Sequence, residues 1–117
     1  MSARVFQNVI NQLKESVNRA IYVMDDIGMV IACTELVHIG ENKEEGLGYF
    51  DEDSTTVTLD GYTYCPIGSY TRPENVIAVE GTDKDAADIC NVLSVSFTSI
   101  KSLYGEKYDK ISFIKNI

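Results

Sequence analysis

A chain of 117 residues with 44% hydrophobic side chains is long enough to fold as one domain, burying roughly two thirds of its unfolded surface without staples. Its 18 acidic and 10 basic side chains give a formal charge of −8, a field that repels phosphate backbones and anionic lipid and so excludes direct nucleic-acid binding. The three cysteines, Cys33, Cys65 and Cys90, match neither a metal site nor a disulfide framework, so a reducing cytoplasm is the expected home. No charged-then-apolar leader opens the chain, and no apolar run approaches the ~20 residues of a membrane helix.

Residues 4–18 place Phe6, Val9, Ile10, Leu13 and Val17 at three- and four-residue intervals, which predicts an amphipathic N-terminal helix with one buried face. Residues 19–81 then change period. "IYVM" and "MVIACT" read as two strands, joined through Asp25-Asp26-Ile27-Gly28 as a hairpin in which Gly28 takes a positive φ. Residues 34–50 are interrupted by Gly40, Gly46 and Gly48 and read as short helical turns and loop. "TTVTLDGYTYCPIG" and "NVIAVEG" supply three more strands, the first two turning at Asp60-Gly61, a strong hairpin signal.

Thr82 followed by Asp85 reads as a capping box opening a long helix over 83–104, with Ala86, Ile89, Leu93, Phe97, Ile100 and Tyr104 as its apolar stripe. The stripe resumes after Gly105 with Tyr108, Ile111 and Ile114, so 105–117 reads as the start of a linker helix cut from a longer protein. The expected fold is α+β: an antiparallel five-stranded sheet flanked by N- and C-terminal amphipathic helices, a layout that resembles PAS and GAF domains.

The candidate site follows from the side chains. Asp25 and Asp26 could serve as an acidic pair, but a turn flanked by solvent offers no means of splitting their pKa values, and the turn reading is preferred. His38 is the only histidine, so any triad or multi-histidine metal site would have to be built around it, and no nucleophile motif stands beside it. It reads either as a polar residue on a short helix or as a contact for an anionic ligand. Tyr62, Tyr64 and Tyr70, in or beside the central hairpin, and Tyr22 on the first strand offer apolar rings with hydroxyl handles suited to a small polar ligand held against a sheet, although aromatic residues also favour strands for their own sake. Arg72, beside Pro73, could clamp a carboxylate bidentately or pair with Glu74. No catalytic residue, metal site or cofactor is expected.

"IYVMDDIGMVIA" followed by "HIGENKEEGL", with "CPIGS" and "NVIAVEG" further on, resembles the N-terminal sensor domain of sugar-diacid regulators, the CdaR/PucR-type bacterial transcription factors. The matching positions are Val23, Met24, Asp25, Gly28, Val30 and Ile31, then Ile39, Gly40 and Glu41, then Glu45 and Gly46, Pro66 and Ile67. Glu80 stands where that family has a small polar residue, and residues 48–60 are shortened and acidic, which disfavours a sugar diacid itself.

The resemblance implies a cytoplasmic ligand-sensing domain that is not an enzyme. Its effector would be a small organic acid or sugar-derived metabolite held around Tyr22, His38, Tyr64, Tyr70 and Arg72. It would signal through helix packing in a homodimer formed by the first helix and the 83–104 helix, with DNA contacted only through an absent C-terminal region and no membrane partner. The rival expectation is a ligand-free dimerisation scaffold or a small acidic chaperone, which would pack the sheet solidly where a sensor leaves a cavity.

Overall fold

The computed structural model describes residues 3–43, 56–68 and 73–115, with side-chain surroundings through residue 100. Two helices and five strands follow in the order α1 (Ala3–Leu13), β1 (Ile21–Met24), β2 (Val30–Cys33), a 3-10 turn (Leu36–His38), β3 (Val57–Leu59), β4 (Tyr62–Ile67), β5 (Asn75–Glu80) and α2 (Lys84–Lys115). The strands form one sheet in the order β2-β1-β5-β4-β3, and every neighbouring pair is antiparallel. The chain is therefore α+β with an antiparallel five-stranded sheet and two helices.

Both hairpins form where their turn residues place them. In the first, Asp25 caps the turn itself: its Oδ1 accepts the amides of Ile27 at 3.1 Å and Met29 at 2.9 Å, while Gly28 takes φ 88°. Asp25 is thus a turn-former, its carboxylate committed to backbone amides. At the second, Asp60 and Gly61 have φ 52° and 82°, the pair of positive values that a two-residue type I′ loop requires.

β5 is the central strand, and Asn75 to Val79 are all buried. Alternate side chains feed two cores. Ile77 and Val79 face a layer that also holds Ile21, Val23, Ala32, Cys65 and Ile67 of the sheet, with Phe6 and Ile10 of α1 and Ala86, Cys90, Leu93 and Phe97 of α2. Val76 and Ala78 face the opposite way, with Tyr22, Met24, Val30, Cys33 and Tyr64. Both helices therefore pack on one face of the sheet. They meet through Phe6 and Phe97, whose rings lie edge to face at 4.9 Å and 73°.

This placement fixes where the apolar stripes of the helices face. Through residue 100 the stripes of α1 and α2 are turned to the sheet and packed in its core, and among the described residues of α2 Val92 and Val95 are exposed apolar side chains. The helix boundaries shift as well. α1 ends at Leu13 although the apolar spacing runs to Val17, because the Leu13 carbonyl accepts the amides of both Ser16, at 2.9 Å, and Val17, at 2.8 Å, a tightened turn that ends the helix while keeping Val17 against the core. α2 is a single 32-residue helix to Lys115, continuous through the expected weak point at Gly105. One glycine within a long helix costs only about 1 kcal/mol relative to alanine.

The cap of α2 is Asp83 in place of Thr82. Asp83 Oδ1 accepts the amide of Ala86 at 3.3 Å, three positions on, as an N-cap carboxylate does. The same carboxylate takes a two-pronged ion pair from Arg19, at 2.6 and 2.8 Å, and Arg19 also donates to the Glu80 carbonyl at 3.2 Å. The linker entering β1 is thereby tied to the corner between β5 and α2. Gly81 makes the approach possible: it holds φ 110°, and a β-carbon there would collide with the Arg19 guanidinium.

Two outcomes follow. Phe97→Ala should cost about 3–5 kcal/mol in urea unfolding, and in a double-mutant cycle with Phe6→Ala the losses should be non-additive, because the two rings share one contact. Arg19 holds the Asp83 carboxyl down at about 2, against an ordinary 3.8. A depressed carboxylate adds stability that is complete above its unfolded pKa and disappears as pH falls through the folded one. The melting temperature of Asp83→Asn, measured from pH 5 to pH 2, should therefore fall less steeply with acid than that of the parent.

Candidate functional site

The face of the sheet opposite α1 and α2 carries a cluster of tyrosines. One cross-strand row runs Cys33, Tyr22, Ala78, Tyr64, Val57 over β2, β1, β5, β4 and β3. Its centre is the small Ala78, with a tyrosine on either side. Tyr62 follows on the same face by the two-residue period of β4 and pairs with Glu80 in register. Tyr22 and Tyr62 lean toward one another over β5 until their ring centroids are 5.5 Å apart and their hydroxyls 3.3 Å apart.

Above these rings stands Lys43, its Nζ 5.0 Å from the centroid of each, within the range of a cation–π contact. Backbone pairing puts it there. Beyond β2 the chain comes back alongside it: Val30 donates to the Glu41 carbonyl at 2.8 Å, Gly40 to the Val30 carbonyl at 2.9 Å, and Lys43 to the Gly28 carbonyl at 2.7 Å. Residues 40–43 thus line the outer edge of β2 and carry the lysine back over the sheet.

His38 closes the cluster on the β2 side. Its ring meets Tyr22 edge-on at 5.6 Å. Its Nδ1 bonds Glu41 at 2.5 Å and its Nε2 lies 3.5 Å from Glu35. Both nitrogens therefore face carboxylates of the chain itself, at i+3 and i−3. Tyr22 is 4% exposed, and burial, reinforced by the Tyr62 hydroxyl, pushes its phenol well above the usual range. It remains a neutral donor and acceptor at any physiological pH.

Of the five residues nominated from sequence, Tyr22 and His38 are brought into contact, and Tyr64 lies in the same row two strands away. Tyr70 and Arg72 lie outside the described residues. Sequence reading overlooked Lys43 as a site residue; Tyr62 stood in its tyrosine cluster but not among the five nominated contacts, although its spacing of two from Tyr64 places it on the shared face. Two open clefts of about 260 and 380 Å³ flank Asn18 and Arg19, and none of the nominated residues lines either. Among the described residues no group of three or more His, Cys, Asp or Glu side chains could hold a metal ion, and no helix is long and apolar enough to cross a membrane.

No family model matches this chain, and neither does any curated protein or solved structure. The chemistry of the site thus stands on its geometry: two tyrosine hydroxyls and one ammonium converging over a small central alanine, with a carboxylate-bound imidazole at the margin. Such a set can bind and orient a small polar molecule.

Proposed function

We propose that this chain is the ligand-sensing domain of a bacterial transcriptional regulator, of PAS/GAF-like architecture and resembling the sensor domains of sugar-diacid regulators. The carrying observation is the asymmetry of the sheet: both helices cover one face, while the other presents Tyr22, Tyr62 and Lys43 together. The effector is a small organic acid or sugar-derived metabolite. Lys43 supplies the cation for its carboxylate, and the tyrosine hydroxyls supply hydrogen bonds that select orientation.

The protein binds and signals without catalysing a reaction. An effector that favours one packing of α2 against the sheet over another shifts the population of the two, and so the state of the attached regulator. Homodimerisation runs through the outward face of α2 around Val92 and Val95, and DNA is met by another region of the regulator. The setting is the cytoplasm.

A second reading, a ligand-free interaction scaffold or small acidic chaperone, draws support from a different observation. Ile27, Leu36 and Val37 are 59–80% exposed, large apolar side chains beside the β2 edge that a protein partner could cover.

A thermal-shift screen against sugar diacids, purine breakdown products and small organic acids separates the two. A ligand that binds the native state alone, at a hundredfold excess over Kd, adds about 2.7 kcal/mol and several degrees of melting temperature. The sensor reading expects a hit that Lys43→Ala and Tyr62→Phe each weaken. A flat screen, accompanied by self-association that Val37→Asp abolishes, would favour the scaffold.

A further inference from the structure

Cys65 of β4 and Cys90 of α2 meet in the helix-covered core, where both are buried. Cys90 Sγ lies 3.6 Å from the carbonyl oxygen of Thr63 and 3.7 Å from that of Ile77. Thr63 precedes Cys65 by two residues on the same strand, and Ile77 is the cross-strand partner of Cys65. The Cys90 sulfur therefore sits on the patch of sheet from which the Cys65 side chain rises. From the other side, Cys65 Sγ comes within 3.7 Å of Asn91 Oδ1, on the residue next to Cys90, and both cysteine side chains belong to one buried cluster. Cys33 belongs to the opposite face of the sheet, among Tyr22, Met24 and Tyr64.

We propose that Cys65 and Cys90 form an intramolecular disulfide when the protein meets a peroxide, a covalent staple between the sheet and α2. One sulfur attacks a peroxide oxygen and becomes a sulfenic acid, releasing one water. The second sulfur displaces the sulfenic hydroxyl as another water, so two thiols and one hydrogen peroxide give one disulfide and two waters. Adjacency is what makes the pair productive: a sulfenic acid formed at either sulfur has its resolving thiol at hand and is captured before further oxidation.

Burial sets the pace. Cys65 is 2% exposed and Cys90 fully buried, and burial drives the Cys90 thiol far above the usual thiol range, so a small oxidant reaches the pair only when α2 lifts from β4. Once formed, the bond removes that lifting motion. Oxidation therefore reports on helix release and also stops it, and this holds whatever the sheet's other face binds.

The test is to treat the reduced protein with excess hydrogen peroxide, then measure intact mass, the thiols titratable after denaturation, and non-reducing peptide maps. Expected are a monomer lighter by two hydrogens, one remaining thiol, and a linked peptide joining Cys65 to Cys90. The link should persist in Cys33→Ala and vanish in Cys65→Ala and in Cys90→Ala, tested separately so that misfolding of one variant leaves the other to decide. Sulfinic acid at either cysteine in place of the link, a bond through Cys33, an intermolecular dimer, or three unreacted thiols under conditions that oxidise the unfolded chain would each overturn the proposal.

Discussion

The structure depends on β5 being bonded along both edges and covered on both faces. Its partners β1 and β4 flank it, its Ile77 and Val79 receive the two helices, and its Val76 and Ala78 floor the opposite face. From Asn75 to Val79, where every residue is buried, no position absorbs a large change in volume cheaply, because protein interiors are packed to crystal-like density. Its buried Asn75 is held in the same economy: the side-chain amide donates to the Met24 carbonyl at 3.1 Å, so a polar residue in the core satisfies a backbone acceptor on the neighbouring strand.

The second constraint is the outer edge of β2, which must be closed if the sheet is not to pair with another chain. Two local devices close it. The carboxamide of Gln7 on α1 imitates a strand, donating to the Cys33 carbonyl at 2.8 Å and accepting the Cys33 amide at 2.9 Å. Farther along, the Met29–Asn42 bridge and its neighbouring hydrogen bonds complete the cover. The second device has a functional consequence, because pairing residues 40–43 to β2 is what swings Lys43 over Tyr22 and Tyr62. Edge protection and site assembly are here the same set of hydrogen bonds.

What could be read from the sequence was local. Asp25 to Gly28 and Asp60-Gly61 announced their turns because the required backbone angles belong to one or two residues, and "NVIAVEG" announced a buried strand through its unbroken apolar run. Tyr22 and Tyr64 could be nominated because tyrosines on strands are conspicuous, but that their row is centred on Ala78 follows only from the register of three strands. Lys43, Gln7 and Arg19 were silent because each acts on a residue at least 19 positions away, across elements whose pairing no short-range pattern encodes. The one-residue error at the cap of α2 has the same origin. Thr82 and Asp83 are both good caps, and the distant Arg19 selects Asp83.

The most direct test of the site is nuclear magnetic resonance of Lys43. Stacked 5.0 Å from two aromatic centroids, its ε-methylene protons should be shifted upfield of every exposed lysine and show cross-relaxation to the ring protons of both Tyr22 and Tyr62, with the shifted signal absent in Lys43→Arg. A Lys43 side chain resonating at the ordinary lysine position, with no cross-relaxation to either ring, would contradict the claim that edge pairing of residues 40–43 assembles a polar site on the helix-free face.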